Sequence, residues 1–303
     1  PHSAVETPAQ PWKTRHMNSN NTAHAGNTAP TTVADVIAVM EQAYPPELAE
    51  SWDKVGLICG DPDAPVRRVG FALDCTNAVA QAAVDADIDM LITHHPLLLR
   101  GVHSVATNTP KGATVTTLIK GDVALFAAHT NADSARPGVN DQLAEILGIT
   151  PGQPIAPNKN NPELGLGRIG TLDTPMPLAE FVQRVADRLP TTEWGVRAAG
   201  DPDATITTVA VASGAGDSFL DTIIELSDTT PIDAYLTSDL RHHPVDEYLR
   251  AGGPAIIDTA HWASESPWLT QAQQLIHDTL GLECHMIDIR TDPWNLAAKH
   301  ATK

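Results

Sequence analysis

Two adjacent histidines, His94 and His95, stand where an apolar run ends in the segment 91–101, LITHHPLLLRG. A fold does not need two neighbouring imidazole rings, and such a pair is awkward to bury. Imidazole nitrogens are favoured ligands of borderline divalent metals. Because adjacent side chains of a strand point to opposite sides, the pair serves two neighbouring ions more readily than one. The turn after the strand can still direct both rings into one cleft, so the pair indicates a two-metal site.

Two further apolar runs each end in a histidine that is followed four residues later by a carboxylate. These pairs are His129 with Asp133 and His261 with Glu265. The mixture of imidazole and carboxylate fits zinc, manganese, iron, cobalt or nickel, whereas calcium takes oxygen ligands only. Cysteine is absent from these positions, which argues against a closed structural zinc site. So many strong ligands exceed the needs of one catalytic metal and favour two ions about 3.5–4 Å apart.

A plainer interpretation exists for each of these features. Any single histidine could be a hydrogen-bonded core residue. Asp239, His242 and His243 lie near the same pattern, but the histidine pair could instead begin a helix before Pro244.

Two glycine-rich segments offer a possible anion contact. Residues 212–219 lie between a predicted strand and a helix, where backbone N–H groups can hold a phosphate. Residues 165–170 add Arg168. Neither segment matches a phosphate-loop motif, so a tight turn is the simpler interpretation of both.

The pattern of apolar and helical segments predicts an α/β fold. Helices are expected to begin after Thr32, with Asp35 as acidic partner, and after Thr109, ending at Gly121. Strand-like runs fall into two groups of three, and helical patterns separate the members of each group. These runs are residues 67–76, 88–95 and 123–133, and residues 207–216, 232–239 and 255–265.

The two groups share the order βαβαβ, and the runs IDMLITHH and IDAYLTSD agree at Ile, Asp and Thr. We interpret them as two similar βαβαβ-type units, produced by internal duplication, that face each other across a metal-binding cleft. Ligand sites of open α/β sheets form beyond the carboxyl ends of strands. The polar clusters all fall at such ends, so they can converge.

The domain prediction follows from these groups. Residues 1–30 are expected to be a tag remnant, up to residue 16, and a disordered tail. Residues 31–150 form the first α/β unit and residues 151–303 the second. Only about 70 residues separate Asp133 from the second group of strands, so no large inserted domain is expected.

Composition limits the possible partners. The formal net charge is −18, which argues against nucleic acid and anionic membranes and requires a locally positive site for a small anionic substrate. No apolar run is long enough to span a membrane. Three dispersed cysteines without a CxxC pair are typical of a reducing compartment, so a cytoplasmic location is expected.

An ordered set of motifs resembles a known family. It consists of SWDKVGLICGDP (51–62), LDCT (73–76), ITHHP (92–96), AAHTNAD (127–133), GLGRIGTL (165–172), TSDL (237–240) and AHWASE (260–265). From about residue 33 to residue 290, the chain resembles the Nif-three-like proteins, also called the GTP cyclohydrolase I type 2 homologue family.

The resemblance implies a dinuclear metal centre in a cleft between two similar α/β units, and a toroidal homohexamer. Glu265 would be the carboxylate that bridges the two ions. The implied metal ligands are His94, His95, Asp133, His261 and Glu265. Three further residues are expected to orient a ligand or contact the substrate, namely His129, Asp239 and Asp74.

Two functional hypotheses follow. The first is a dinuclear metal-dependent hydrolase that acts on a nucleotide or phosphoester-like substrate. The family name suggests GTP ring opening, but the sequence displays no purine pocket. The alternative is a non-catalytic metal-binding scaffold or regulatory protein with a ring-shaped oligomer.

Overall fold

Strands and helices alternate along most of the chain. The computed structural model describes residues 29–298, so the predicted tag remnant and tail lie outside the described residues except for positions 29 and 30. The strands are β1 (Gly56–Cys59), β2 (Arg68–Ala72), β3 (Met90–Thr93), β4 (Ala124–Ala127), β5 (Ile149–Pro151), β6 (Ala156–Pro157), β7 (Gly165–Leu166), β8 (Arg168–Pro177), β9 (Val196–Ala199), β10 (Thr205–Ala215), β11 (Ala234–Ser238), β12 (Ala255–Thr259) and β13 (Glu283–Met286).

The first α-helix precedes β1 and the others lie between strands, while two short 3₁₀ helices occupy Pro46–Leu48 and Asp217–Phe219. None of the helices between residues 29 and 298 has the length and apolar character needed to span a bilayer. The α-helices are α1 (Val33–Ala43), α2 (Asn77–Asp85), α3 (Pro110–Lys120), α4 (Thr130–Ser134), α5 (Val139–Leu147), α6 (Leu178–Arg188), α7 (Leu220–Ser227), α8 (His242–Arg250), α9 (His261–Glu265) and α10 (Trp268–Leu280).

The two predicted helix starts are confirmed. The Thr32 hydroxyl accepts a hydrogen bond from the Asp35 amide, and the Asp35 carboxylate accepts one from the Thr32 amide, which forms a capping box at α1. The Thr109 side chain caps α3, with Pro110 in its first turn and Gly121 directly after its end. Local sequence therefore determines these ends.

Two mixed sheets contain the predicted strands, which confirms the α/β class. The first sheet has the order β1-β4-β3-β2-β13, and the second has the order β5-β8-β10-β11-β12-β9. In the first, β2, β3 and β4 are parallel and β1 is antiparallel to β4. In the second, β10, β11 and β12 are parallel and β9 is antiparallel to β12. The central strands are almost entirely buried, as expected for strands covered on both faces.

The hydrophobic cores show which parts of the chain pack against each sheet. Trp268 of α10 packs edge-on against Tyr44 at 5.4 Å in the core of the first sheet, and β13 pairs with β2. Leu143 and Leu147 of α5 lie in the core of the second sheet, which β5 joins through β8. The predicted domain boundary at residue 150 stays a prediction, but elements on each side of it contribute to the other sheet.

Arg168 has a structural position, so it is not available for the anion contact that was considered beside a tight turn for residues 165–170. The side chain is fully buried, and its guanidinium forms a two-point ion pair with Asp141 at 2.7 and 2.8 Å. Three backbone carbonyl groups accept its other N–H groups. All five donors of the guanidinium are therefore used inside the protein.

Replacing Arg168 with methionine should leave the buried Asp141 carboxylate without its hydrogen-bonded charge partner, with only the more distant Arg136 at 3.8 Å. We expect the free energy of unfolding to fall by about 3–5 kcal/mol, measured by urea denaturation. Arg250→Met is the matched control, because it removes an exposed ion pair with Asp246 within one helix and should leave the midpoint unchanged. Equal midpoints for the wild type and Arg168→Met would contradict this role.

Candidate metal centre

The carboxyl ends of parallel strands from both sheets deliver the candidate residues. His94 and His95 follow β3, and Asp74 follows β2 in the same sheet. In the second sheet, Asp239 follows β11. Two short helices that begin within three residues of a strand end carry the others. Asp133 lies in α4, which His129 precedes, and α9 contains His261 and Glu265.

The Glu265 carboxylate lies at the centre of the cluster. Its Oε2 is 3.0 Å from His95 Nε2, and its Oε1 is 3.0 Å from His261 Nε2. His94 Nε2 lies 3.6 Å from Glu265 Oε1 and 3.7 Å from Asp133 Oδ1. The structure therefore brings all five predicted ligands together, although their role as ligands stays a prediction.

Donor atoms fall into two overlapping groups that could hold a cation. One group is His94, His95 and His129, and the other is His95, His261 and Glu265. Within each group the candidate atoms lie within 4.8 Å of one another. His129 was expected beside the ligands, and its ring lies 5.2 Å from that of His94 between centroids.

Three atoms at this point are buried without a hydrogen-bond partner: His94 Nε2, His261 Nε2 and Glu265 Oε2. An unpaired buried polar atom costs about 1–3 kcal/mol. The close approaches to Glu265 do not provide hydrogen-bond geometry at these atoms, so the protein alone leaves them unsatisfied. A divalent cation takes electron pairs from both nitrogen and oxygen, so the residues present fit a metal ion.

The far side of each central imidazole is fixed. A backbone carbonyl lies 2.9 Å from His94 Nδ1. Asp74 Oδ1 lies 2.7 Å from His95 Nδ1, and Asp239 Oδ2 lies 2.7 Å from His261 Nδ1. Since each acceptor calls for an N–H at Nδ1, the nitrogen that faces the centre is Nε2, which offers its lone pair to a metal once that nitrogen is deprotonated. Asp74 and Asp239 thus lie where they could orient the predicted ligands His95 and His261.

Asp53 is a site residue that the sequence analysis missed. Its buried carboxylate accepts hydrogen bonds from His129 Nδ1 at 2.9 Å and from the amide and hydroxyl of Thr130. Burial raises the pKa of Asp53, but these hydrogen bonds outweigh it and hold that pKa well below its ordinary value. The signal for Asp53 in the sequence is the motif SWDKVG, which contains this acid.

The glycine-rich segment 212–219 contacts the site through the irregular end of β10, where the register with β11 shifts between Val211 and Ala215, and it continues into the 3₁₀ helix Asp217–Phe219. The Ser213 amide donates to Asn140 Oδ1 and the Gly214 amide to Ser264 Oγ, so both are used internally. The Ser213 hydroxyl donates to Asp133 Oδ1 at 3.2 Å. The segment is therefore a strand end in place of the expected tight turn; it supports Asp133 through Ser213 and does not offer these two amides to an anion.

The pair His242 and His243 lies in the first turn of α8, with both side chains exposed and 5.2 Å between ring centroids. The helix-start interpretation is the one that the structure supports.

Negative charges in the pocket favour the protonated imidazoles of His95 and His261. Burial lowers the pKa of His95, but the charge of Glu265 and the bonds to Asp74 outweigh it and raise this pKa to about 10. The same balance, with Glu265 and Asp239, raises the pKa of His261 to about 11. Burial opposes ionisation of Glu265, yet the three nearby histidines hold its pKa well below the ordinary value. Burial raises the pKa of Asp133.

A family model described as Duf34/NIF3 (NGG1p interacting factor 3) matches residues 31–293. The chain belongs to this family. A Streptomyces coelicolor protein named GTP cyclohydrolase 1 type 2 homolog is 48% identical over 270 residues, which covers 86% of this chain and 93% of the relative. A Mycobacterium tuberculosis protein with the same name is 39% identical and covers 87% of this chain and 97% of the relative. The predicted resemblance is confirmed.

Solved structures of the family have the same fold. The crystal structure of Staphylococcus aureus protein SA1388 aligns with a TM-score of 0.77 at 26% identity, over 89% of this chain and all of that one. Reduced HcgD from Methanocaldococcus jannaschii aligns with a TM-score of 0.70 at 26% identity, over 86% of this chain and 98% of that one. This Duf34/NIF3 member therefore has its relatives' fold over almost their full length.

Substitution of Gly214 by alanine should disrupt the centre directly. A Cβ atom there would lie 2.3 Å from Glu265 Oε1 and 3.1 Å from His261 Nε2, at a φ of +63°. Gly195→Ala is the matched control, since Gly195 has a φ of +71° with no heavy atom within 4 Å of the added Cβ. Both variants should lose about 1–2 kcal/mol of stability to the left-handed backbone. Only Gly214→Ala should weaken zinc binding, measured by competition with a chromophoric chelator; equal zinc affinities would contradict the placement.

Zinc binding should release protons. At pH 7 the raised pKa values leave His95 and His261 protonated in the metal-free protein, and a metal must displace those protons. We expect about two protons released for each fully loaded chain, and an affinity that falls as the pH is lowered. Calorimetry in two buffers of different ionisation enthalpy measures the number. His103→Ala, which alters an exposed histidine, should release the same number, and an absence of release from the wild type would refute this proton count.

Proposed function

We propose that the chain binds two divalent metal ions around Glu265 and uses them to hydrolyse a nucleotide or phosphoester-like substrate. The observation that carries this proposal is the convergence of unpaired buried nitrogen and oxygen atoms from both sheets. The donor set suits zinc, manganese, iron, cobalt or nickel. The approach of the two Glu265 oxygens to different histidines supports a bridging role for this carboxylate.

The residues of the pocket would have different roles in this reaction. When bound, two such ions polarise a phosphoryl oxygen and lower the pKa of water. His94 and Asp133 would hold one side of the pair, and His95 and His261 the other. His129 is fixed through Nδ1 by a buried carboxylate, which leaves its Nε2 for a proton transfer to or from the substrate.

Trp52 favours a nucleotide within this substrate class. Its indole is 56% exposed and packs edge-on against His129 at 6.0 Å between ring centroids. An exposed aromatic face beside a pocket can stack on a planar ring, which is worth about 1–3 kcal/mol for a nucleic-acid base. Two dications would carry more charge than the central carboxylates Asp133 and Glu265, so the inner face of the pocket would attract an anion despite the overall charge of −18. The other three acids, Asp53, Asp74 and Asp239, lie on the outer side of the histidines.

We further propose that the two units arose by duplication and face each other across this pocket. Each unit runs α-β-β-α-β-α-β, as α1 to β4 and as α6 to β12. The tetrapeptide DPDA occurs at residues 61–64 and 201–204, and in each case its second and fourth carbonyls accept the first two amides of α1 or α6. Asp89 and Asp233 each accept two successive backbone amides, at the start of β2 and at the third and fourth residues of β10.

We also propose a homo-oligomer, with the hexamer that the resemblance implies, in the cytoplasm. Leu99, Val102 and Val105, in the segment after His95, have partly exposed apolar side chains that a second copy of the chain could bury. Three free cysteines suit a reducing compartment. Light scattering on the purified protein measures the oligomer. A ring without turnover would instead fit the alternative, a non-catalytic scaffold or regulatory protein.

The deciding experiment compares the wild type with Asp133→Ala, each loaded in turn with the five candidate metals. The panel contains nucleoside mono- and triphosphates, ribose 5-phosphate and a chromogenic phosphodiester. The variant should lose more turnover than the roughly 10- to 100-fold that loss of an outer partner costs. His103→Ala should hydrolyse the same substrates as the wild type. If the metal-loaded wild type hydrolyses none of them faster than Asp133→Ala, the enzyme proposal is wrong and the scaffold alternative gains support.

A further inference from the structure

The segment after the last strand returns to the metal pocket. Residues 287–294 run from the edge of the first sheet towards the loop that precedes β9 of the second. On the way, the Thr291 hydroxyl donates a short hydrogen bond to Asp74 Oδ2. The other oxygen of Asp74 accepts from His95 Nδ1 at 2.7 Å. A residue 196 positions after His95 thus reaches it through one carboxylate.

The segment is anchored on both sides of Thr291. Before it, the Ile287 amide donates to the carbonyl of Phe71 at 2.9 Å, and the Ile289 side chain packs against a core of the first sheet. Behind it, the Trp294 ring lies 5.7 Å from the Trp194 ring between centroids. The hydroxyl is therefore held in place by the fold.

Two hydrogen bonds restrain the Asp74 carboxylate more than one would. A partly exposed carboxylate that has a single partner can rotate about its side-chain bonds and exchange that partner for water. With Oδ2 held by Thr291, Oδ1 stays directed at His95 Nδ1 and keeps the N–H on that nitrogen. The lone pair of His95 Nε2 then stays directed at the centre.

We infer that Thr291 is a positioning residue of the metal centre, acting through Asp74 on His95. The inference deepens the proposed function, because it assumes that His95 is a ligand. The segment after β13 thereby belongs to the site, although it carries no ligand itself.

The test compares Thr291→Val, which keeps the shape and removes the hydroxyl, with Thr291→Ser, which restores it. Thr229→Val is the matched control, because its hydroxyl donates to a backbone carbonyl away from the pocket. Cobalt(II) is titrated into each full-length, metal-free protein, and both the affinity and the visible absorption spectrum are recorded. Thr291→Val should weaken binding by about 10-fold, the low end of the range for outer partners, and alter the spectrum. Thr291→Ser and Thr229→Val should match the wild type.

Asp74→Asn separates failure of this inference from failure of the metal proposal, and Thr291→Ala repeats the test if the valine variant does not fold. Should Asp74→Asn weaken binding while the valine or alanine variant binds like the wild type, Thr291 has no positioning role and the metal centre stands. Should all of them, including Asp74→Asn, bind cobalt like the wild type, the contact of Asp74 with His95 has no positioning effect and the inference fails. Should the wild type itself not bind cobalt, the metal proposal fails. Equal weakening by Thr229→Val would show a general loss of stability and overturn the inference.

Discussion

The buried carboxylate of Glu265 is the interaction on which the arrangement of the two sheets depends. Its oxygens lie 3.0 Å from His95, which follows a strand of the first sheet, and from His261, which begins a helix after a strand of the second. Removing an ionised carboxylate from water costs several kcal/mol unless opposite charge and hydrogen bonds compensate. The compensation comes from both sheets, so neither can shift far without leaving this charge unpaired.

Hydrogen bonds hold the outer nitrogens of the pocket histidines, whereas several polar atoms that face the inside of the pocket have no hydrogen-bond partner. Asp74, Asp239 and a backbone carbonyl fix the Nδ1 atoms of three histidines, while the facing Nε2 atoms of two of them lack hydrogen-bond partners. Groups that could have offered an anion site are used elsewhere, as in the Arg168 pair with Asp141. Polar groups held open in a rigid frame are what a metal site requires, because the ligands need little rearrangement on binding.

Under the proposed duplication, equivalent positions have taken different roles. The last strand of each unit ends in a histidine with an acid four residues on, His129 with Asp133 and His261 with Glu265. His261 lies at the centre against Glu265, whereas His129 lies at the margin, held by Asp53 and next to Trp52. The second unit has Asp239 where the first has His95, and this aspartate orients a histidine. The pocket is therefore asymmetric, with the unpaired buried donor atoms on one side and the exposed Trp52 ring on the other.

The sequence alone determined the α/β class, the ends of α1 and α3 and the family. Helix caps, the alternation of strands with helices and short motifs each depend on residues that are close together in the sequence. It also identified the histidines and acids of the pocket, since polar residues at strand ends converge in such folds. Only the tertiary structure decided that Arg168 is buried against Asp141, that Asp53 holds His129, and that Thr291 reaches Asp74. These are contacts between residues 27, 76 and 217 positions apart, and no local pattern encodes a partner at such a distance. They arise because the packing of the two sheets fixes which side chains face each other.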